Sequence, residues 1–383
     1  MKILMLGRYH LMEHGGGDKV QIENTARELR ALGADVEIKT DEDFIPRNYD
    51  IIHLFQLDWT PETYLYAQKA HEAEKPIILS PIHHSIKEVK RFDDEYVFDF
   101  RRLSKILFSN QFHRDTFKNV YRSLTDPKKI KPTLVSITHG FQKMQKEVLE
   151  MSEKVLVQTD LETKDLEETF GVKIDAVKVP NGVSRNFIEQ DAGAQKRNPL
   201  NLSDYIICVG RIEPRKNQLN VISAVEKLRN ETGEDLQLVL IGVSTGLKHF
   251  EYGKMFNDKK AACPWIHHVE KVPYQEMPDY YRNAKVGVSA SWFETTGLTS
   301  LEALFCGANA VAAGERAKEY LKEYASYCDP GSVDSIAGAV KAQLKAPRPQ
   351  IEVQMRKEYT WEKAAAKTLE VYQEVLNKWQ KSQ

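Results

Sequence analysis

Short apolar runs alternate with helical patterns along the 383 residues of this chain. Residues 3–7 form one such run, and the apolar residues of 18–32 then recur at helical spacing before Gly33, a helix stop signal. Parallel strands need a crossover connection between them, so strands separated by helices favour a parallel sheet that is covered on both faces. The alternation therefore predicts an α/β fold with parallel sheets.

A polar stretch near the middle of the chain interrupts the alternation. Residues 181–201 contain Gly182, Gly193 and Pro199 and lack a regular apolar period, which is typical of a linker. We predict two α/β halves, residues 1–185 and 201–358, in agreement with about 100–200 residues per domain. The remaining predicted strands are residues 35–39, 50–55, 77–80, 106–109 and 155–158 in the first half, and 205–209, 236–241, 286–289 and 310–313 in the second.

Composition and charge exclude several classes of protein. The chain has 42% apolar residues and a net charge of -1, which argues against a disordered protein and against a globally basic nucleic-acid binder. Its 4 cysteines include no C-x-x-C pair, which argues against a zinc ribbon and fits a reducing cytosol. No apolar stretch reaches the length of about 18 residues that indicates a membrane span. We therefore expect a soluble, cytoplasmic protein that is at most peripheral to a membrane.

Residues 101–146 depart from the neutral balance of the whole chain. This segment contains 11 Lys or Arg residues against two Asp residues, with Phe and Tyr residues between them. It is either a solvated basic face whose aromatic side chains point into the core, or a surface for an anionic partner. Acidic lipid head groups and a phosphate-bearing acceptor are the partners that such a surface would suit.

The first predicted strand–helix turn contains three consecutive glycines, Gly15, Gly16 and Gly17. Glycines let backbone N–H groups approach a ligand closely, and the following helix N-terminus favours a phosphate or a sugar hydroxyl. The turn lacks the G-x-G-x-x-G spacing of dinucleotide-binding proteins, and no Gly-Lys-Ser/Thr of a P-loop follows it. The alternative interpretation is a flexible turn without a ligand.

The loop after the predicted strand 205–209 brings two cations together in sequence. Gly210 and Arg211 follow this strand directly, and Lys216 stands five positions after Arg211. Ligands of open α/β sheets bind at the carboxyl ends of the strands. An arginine fork and a lysine point charge suit a diphosphate, above all one that gains charge as it leaves. The alternative is a pair of exposed loop charges.

The loop after the predicted strand 286–289 contains acidic and glycine residues. The carboxylate of Glu294 could accept hydrogen bonds from sugar hydroxyls, and the amides of the helix that begins near Gly297 and Leu298 suit a phosphate. The carboxylate of Glu302, one turn into that helix, could bind two ribose hydroxyls. The alternative for Glu302 is a capping box with Thr299, in which its side chain caps the start of the helix.

Two histidines, His83 and His84, follow the predicted strand 77–80. Paired histidines can bind a metal, but no carboxylate or cysteine partner stands at ligand spacing from them. The acidic residues 41–43 resemble a D-x-D metal motif, and we interpret them as an ordinary solvated turn. The sequence therefore predicts no metal site.

In chain order, these motifs resemble those of the retaining GT-B glycosyltransferases of family 4, the glycosyl transferases group 1. The resemblance covers most of the chain. Its most specific part is the Glu-x7-Glu pattern of Glu294 and Glu302, and residues 179–183 and Tyr359-Thr360-Trp361 add to it. Thr295 and Thr296 depart from the usual family sequence, which leaves the identity of the donor sugar open.

The resemblance implies two facing Rossmann-like domains with the site in the cleft between them, and a final helix, residues 361–383, that packs on the first domain. It implies that two cations hold the donor diphosphate, that glycine and helix amides surround it, and that His83 lies near the donor sugar. His84 is a rival because the spacing from the strand start is one residue longer than expected. The implied catalytic residues are Arg211, Lys216, Glu294 and His83, and the implied donor-binding residues are Gly16, Gly17, Gly210, Gly297, Leu298, Thr299 and Glu302.

The function implied by the resemblance is a hexosyl-type, retaining glycosyl transfer that needs no metal and no other cofactor. A UDP- or GDP-sugar would be the donor, and a hydroxyl of a saccharide or a lipid-linked molecule would be the acceptor, in the synthesis of polysaccharide, glycolipid or glycoconjugate. Residues 87–146 match no pattern of the family, and we assign them to the acceptor side.

Other functions remain open at the level of sequence. The same architecture could serve a sugar-nucleotide epimerase, an inverting transferase or a non-catalytic protein that binds nucleotide sugars. The Arg211–Lys216 and Glu294–Glu302 pairs favour the retaining transferase. An NAD-dependent dehydrogenase is disfavoured because the dinucleotide fingerprint is missing.

Overall fold

The structure, a computed structural model, describes residues 1–14, 16–95, 130–188, 197–244 and 249–382. These residues divide into two compact units. The first unit contains 1–86, 130–182 and 359–382 of the described residues, and the second contains 87–95 and 183–358. The chain thus returns to its first unit at its C-terminal end.

Each unit is built around one parallel sheet. Its strands are short and mostly buried, as expected for strands that are covered on both faces. The described strands are β1 Lys2–Leu6, β2 Asp35–Lys39, β3 Ile51–Phe55, β4 Ile77–Ser80, β5 Lys154–Val157, β6 Ala176–Lys178, β7 Tyr205–Val209, β8 Leu238–Ile241, β9 Ile266–Val269, β10 Ala284–Ser289, β11 Asn309–Ala313 and β12 Ala325–Cys328.

Helices occupy most of the connections between these strands. The described α-helices are α1 Leu11–His14, α2 Gly17–Ala31, α3 Thr60–Glu72, α4 Ile86–Glu95, α5 Ile130–His139, α6 Phe141–Glu150, α7 Asp160–Phe170, α8 Arg185–Ile188, α9 Gln218–Thr232, α10 Phe250–Ala262, α11 Met277–Asn283, α12 Leu298–Phe305, α13 Glu315–Leu321, α14 Val333–Lys345, α15 Val353–Glu358 and α16 Trp361–Ser382. Short 3₁₀ helices are Pro46–Asn48, Pro214–Lys216, Tyr274–Glu276 and Lys322–Tyr324.

The sheet of the first unit has the strand order β2-β1-β3-β4-β5-β6, and every strand pair in it is parallel. The strand order reverses between β1 and β3, so the loops that follow these two strands diverge at the carboxyl edge. Ile3 and Leu4 in β1 and Ile52 in β3 are completely buried, because α/β crossovers cover both faces of the sheet.

The sheet of the second unit has the order β12-β11-β10-β7-β8-β9, again with every pair parallel. The order reverses between β7 and β10, which are hydrogen-bonded neighbours. Open α/β sheets bind ligands at such a switch point, outside the carboxyl ends of the strands. The predicted cation loop and the predicted acidic loop therefore begin side by side.

The final helix α16 belongs to the first unit. Tyr372 on this helix contacts β3, where its hydroxyl lies 2.6 Å from Nδ1 of His53, and Glu374 pairs with Lys154 of β5 at 3.1 Å. Gly182 lies so close to residue 360 that a Cβ atom there would approach the Thr360 carbonyl carbon to 2.1 Å. The backbone at Gly182 therefore packs directly against the backbone at the start of α16.

The described part of α4 beyond Ile86 packs with the second unit, although the sequence boundaries assign it to the first half. Phe92 is buried against the rings of Trp292 and Phe293, at centroid distances of 5.9 Å and 5.5 Å. Arg91 forms an ion pair with Asp329 at 2.7 Å. An aromatic contact and a charge pair, invisible in the sequence pattern, thus attach this helix to the second unit.

Most of the strands predicted from the sequence are found within two residues of their expected bounds. The predicted strand 106–109 lies outside the described residues, as do residues 189–196 of the predicted linker and residues 101–129 of the basic segment. Among the described helices, none combines the length and the apolar character needed to cross a membrane. The prediction of an α/β fold with two parallel sheets is confirmed.

Candidate functional site

The candidate site of the second unit lies at the carboxyl ends of β7 and β10. The loop after β7 forms a 3₁₀ turn over Pro214–Lys216, and the loop after β10 leads into α12. Backbone and side-chain hydrogen bonds join the two loops. Trp292 N–H donates to the Arg215 carbonyl at 2.9 Å, and the buried Asn217 amide donates to the Ala290 carbonyl at 3.0 Å.

Gly210 shapes the start of the first loop. Its φ of +151° lies in a region that side chains rarely adopt, and a Cβ atom there would lie 3.2 Å from Cδ of Lys216. The lysine stem therefore crosses directly over this glycine. Only glycine combines this backbone angle with the space that the lysine occupies.

Five charged side chains form a continuous chain across the two loops. Lys216 Nζ donates a short hydrogen bond to Glu294 Oε1, and Arg215 Nη1 lies 3.6 Å from Glu294 Oε2. Arg215 Nε also lies 3.2 Å from Glu213 Oε1, and Arg211 Nη2 lies 3.7 Å from the same oxygen. The structure thus brings together the predicted residues Arg211, Lys216 and Glu294, and it adds Glu213 and Arg215 to them.

Glu294 is ionised in this arrangement. Burial by itself would raise the pKa of its carboxylate, but the charges of Lys216 and Arg215 outweigh burial and lower the pKa to about 2. The side chain keeps an exposed fraction of 17%, so it is within reach of a ligand. A carboxylate that stays charged at neutral pH can accept hydrogen bonds from hydroxyl groups.

Helix α12 begins at Leu298, directly after the acidic loop. Gly297 is its N-terminal flanking residue, with a φ of +91° and no side-chain cap. The first N–H groups of a helix, here those of Leu298 and Thr299, have no partner inside the helix and favour an anion. These predicted donor-binding amides lie in the same segment as Glu294.

Glu302 lies inside α12 and contacts two tyrosines. Tyr274 OH donates to Oε1 at 2.8 Å, and Tyr281 OH donates to Oε2 at 3.2 Å. Burial raises the pKa of Glu302 to about 7, although the two hydroxyls act in the opposite direction. The capping-box alternative is wrong, because the helix begins before Thr299 and no side chain caps it.

The glycine turn of the first unit is described from Gly16 onward, and Gly15 lies outside the described residues. The N–H of Gly16 donates to Asp18 Oδ1 at 2.8 Å, and Asp18 Oδ2 accepts from Arg8 Nε at 2.7 Å. The Gly16 amide is therefore engaged within the protein, whereas Gly17 is exposed. The guanidinium of Arg8 also stacks on Trp59, with 4.8 Å to the ring centroid.

Both histidines after β4 contact Asp58, a residue that follows β3. His83 Nδ1 lies 2.6 Å from Asp58 Oδ1, and His84 Nδ1 lies 2.9 Å from Oδ2. Burial would raise the pKa of Asp58, but the two histidines outweigh burial and hold that pKa well below its usual range. The His83 side chain is only 3% exposed and that of His84 is 24% exposed. One carboxylate thus orients both candidate histidines.

The predicted site residues fall into the two units as their sequence positions require. Gly16, Gly17 and His83 belong to the first unit, and all others belong to the second. Among the residues that the structure describes, no group of three or more His, Cys, Asp or Glu side chains could hold a metal ion. In the acidic turn 41–43, Glu42 accepts a hydrogen bond from Tyr9 at 2.9 Å and pairs with Lys131.

Sequence reasoning missed five polar residues that contact the predicted ones. Arg215 had a signal, since it stands between the predicted cations Arg211 and Lys216. The other four residues gave no signal. The partners of Asp58, Tyr274 and Tyr281 are 21 to 28 positions away, and Glu213 stands within a loop whose fold was unknown. The missed residues are Asp58, Glu213, Arg215, Tyr274 and Tyr281.

Comparison with known proteins gives one family match. Residues 192–364 match the model of the family "Glycosyl transferases group 1", a segment that contains the whole charged chain and Glu302. The sequence resemblance to this family is therefore confirmed over residues 192–364.

Curated relatives are similar at lower identity. The chain is 23% identical to the O-antigen chain mannosyltransferase B of Escherichia coli over 59% of this chain and 62% of the relative. It is 28% identical to a D-inositol 3-phosphate glycosyltransferase of Kribbella flavida over 60% of this chain and 58% of that protein. The chain thus spans about three fifths of the length of these two relatives. An MMP alpha-(1->4)-mannosyltransferase of Mycolicibacterium hassiacum is 22% identical over 98% of both chains.

Solved structures resemble the chain over its full length. A sucrose-phosphate synthase from Thermosynechococcus elongatus gives a TM-score of 0.69 at 15% identity and covers 98% of this chain and 99% of its own. The Anabaena protein Alr3699/HepE, in complex with UDP and glucose, gives a TM-score of 0.64 at 13% identity over 100% and 99%. Together with the two parallel sheets, these likenesses confirm the predicted GT-B fold class.

Proposed function

We propose that this protein is a retaining, metal-independent glycosyltransferase that moves a hexosyl group from a UDP- or GDP-sugar to an acceptor hydroxyl. The observation that carries the proposal is the meeting of Lys216, Glu294 and the start of α12 at one switch point. The family match and the names of the relatives support sugar transfer as the reaction class.

The second unit supplies the groups that a nucleotide-diphosphate sugar needs. Lys216 and Arg211 provide positive charge for the diphosphate, and the amides of Leu298 and Thr299 add hydrogen-bond donors beside it. The carboxylate of Glu294 accepts from sugar hydroxyls, and that of Glu302 accepts from the ribose.

Charge development explains why cations belong at this place. When the bond between the sugar carbon and the phosphate oxygen breaks, its electron pair passes to the diphosphate, and the sugar ring becomes positive. Preorganised donors that stabilise the developing negative charge are worth about 3 kcal/mol each. The acceptor hydroxyl attacks from the face that the phosphate leaves, and its proton passes to the departing phosphate oxygen. The product keeps the anomeric configuration of the donor.

We propose that this route needs no metal, because Arg211, Lys216 and the helix amides supply positive charge and hydrogen-bond donors for the leaving diphosphate. We assign the acceptor, a saccharide or lipid-linked hydroxyl in glycoconjugate or cell-surface polysaccharide synthesis, to the first unit. Lys131, Lys143 and Lys146 of the basic segment are described, and each has a carboxylate partner within the same unit. We also propose that the protein is cytoplasmic and contacts anionic membrane through residues 101–146.

The test combines donor binding with product analysis. UDP-, GDP- and ADP-hexoses are screened by thermal shift, because a ligand that binds the folded state raises the melting temperature. Each donor that binds is then incubated with saccharide acceptors with and without EDTA, and the product anomer is determined by NMR. We expect transfer with retention that EDTA does not reduce. Inversion, epimerised donor, or binding without transfer or hydrolysis would each replace the proposal by the corresponding alternative.

A further inference from the structure

Arg215 occupies the middle of the charged chain. Its guanidinium is fixed on three sides: Nε by Glu213, Nη1 by Glu294 at 3.6 Å and by the Phe293 carbonyl at 3.4 Å, and its face by the Phe293 ring at 5.4 Å. Glu213 itself is buried, with an exposed fraction of 6%. None of these contacts of Arg215 is with Lys216 itself.

The positive and negative charges of these five linked side chains do not cancel. Three cations, Arg211, Arg215 and Lys216, face two carboxylates, Glu213 and Glu294, so that the set carries one excess positive charge. Lys216 is the cation closest to Glu294, and its flexible stem allows it to turn towards a phosphate. If it did so without Arg215, the largely buried Glu294 would face the diphosphate without a compensating charge, which is strongly unfavourable.

We propose that Arg215 is a positioning residue that takes over Glu294 when the donor diphosphate draws Lys216 away. This inference rests on the proposed function. Arg215 keeps Glu294 ionised and in place for the sugar, and it frees the charge of Lys216 for the phosphate. In its absence, Glu294 competes with the diphosphate for Lys216.

A double-mutant cycle with UDP and GDP as ligands tests this role, because such a cycle isolates the interaction between two residues. Calorimetry measures the affinity of the wild type and of the variants Arg215→Gln, Glu294→Gln and the double variant. We expect Arg215→Gln to weaken nucleoside-diphosphate binding about tenfold, because Glu294 then competes for Lys216 and the diphosphate loses one charge-assisted contact. The same change in the Glu294→Gln background should cost less than about threefold, because no carboxylate then competes for Lys216.

Two further variants separate positioning from structure. Arg215→Lys keeps the charge and should restore most of the affinity. Arg229→Gln is the matched control, since Arg229 is 23% exposed against 21% for Arg215, pairs with Asp235 and also stacks on an aromatic ring, Trp265. It should leave the affinity unchanged. Thermal melts confirm that each variant is folded.

The outcomes are distinguishable. An equal loss from Arg215→Gln in both backgrounds, or no loss in either, would overturn the role of Arg215 while the proposed function stands. A folded wild-type protein that binds neither UDP nor GDP would overturn the proposed function for these donors, and this inference with it. Coupling between the two positions, with rescue by lysine, supports the inference.

Discussion

Glu294 and Glu302 belong to one sequence motif, and both are largely buried in the second unit, yet their carboxyl groups have opposite properties. The pKa of Glu294 is lowered to about 2, and that of Glu302 is raised to about 7. Burial by itself raises the pKa of both carboxyl groups. The difference comes from the neighbours, since two cations face Glu294 and two tyrosine hydroxyls face Glu302.

This contrast separates the chemical roles of the two positions. Glu294 is an anion at neutral pH and lies beside two cations, so changes near it should act on the transfer reaction. Glu302 is half-protonated near neutral pH, so changes near it should act on the pH dependence of stability and of donor binding. Substitutions of these residues and of their partners can therefore test the difference between the two carboxyl groups.

Lys216→Gln is expected to have the largest effect on activity. The substitution removes the cation at the leaving diphosphate, and loss of one such preorganised donor lowers kcat by about 10²–10³-fold. Arg215 still faces Glu294, so the protein should remain folded. Steady-state kinetics of sugar transfer measures the loss, with circular dichroism to confirm the fold.

Lys227→Gln is the control for that variant. Lys227 pairs with Asp334 on the surface of the same unit, and removing such an exposed, solvent-screened pair should leave stability nearly unchanged. A folded Lys216→Gln enzyme with the turnover of the control would contradict the assignment of Lys216 to the diphosphate.

Glu294→Gln should lower kcat about tenfold to a hundredfold, because one preorganised contact to the sugar weakens from charged to neutral. It should also change acid unfolding. The folded-state pKa of Glu294 lies below its ordinary 4.5, so its contribution to stability is present above pH 4.5 and is lost as the pH falls towards 2. Urea titrations at pH 5 and pH 3 should show a smaller loss of stability for the variant than for the wild type. A larger loss would contradict the ionised state.

Glu302→Gln should change the pH dependence of stability at a higher pH, near 7. Because the folded-state pKa is raised, the folded protein holds this proton more tightly than the unfolded chain. That contribution is fully present below pH 4.5 and is lost as the pH rises through about 7. Between pH 5 and pH 8 the wild type should therefore lose on the order of a few kcal/mol relative to the variant. Parallel stability curves for the two proteins would refute the raised pKa.

The strands at the sheet centres were predictable from sequence, whereas of the four described edge strands only Asp35–Lys39 was. Residues 77–80 and 205–209 are continuous apolar runs, because crossovers cover both faces of central strands, and the structure has strands at these residues. The strands Ala176–Lys178, Ile266–Val269 and Ala325–Cys328 were missed. Each lies at a sheet edge and is partly exposed, so its sequence mixes polar with apolar residues.

The candidate site was predictable where a side chain follows a central strand directly. Lys216 and Glu294 stand in loops after predicted strands, and ligands of open α/β sheets bind at the carboxyl ends of strands. The structure adds that these two strands are hydrogen-bonded neighbours. The partners of Glu302 were not predictable, because Tyr274 and Tyr281 come from a different helical segment, and only the packing of α11 on α12 brings them to the carboxylate. The sequence therefore predicts that Glu294 lies in a loop at a strand end, but not the environment of Glu302.

Tyr281→Phe is expected to have the smallest effect of these substitutions. Its hydroxyl lies 3.2 Å from Oε2 of Glu302 and opposes the effect of burial, so its removal should raise the pKa of Glu302 further. The loss of one hydrogen bond to a buried carboxyl group costs about 1 kcal/mol, and the pH at which stability falls should move upward. Tyr274→Phe, which removes the shorter bond of 2.8 Å, should move it further. Urea titrations from pH 5 to pH 9 measure both shifts, and a downward shift for either variant would mean that the hydroxyls do not stabilise the charged form.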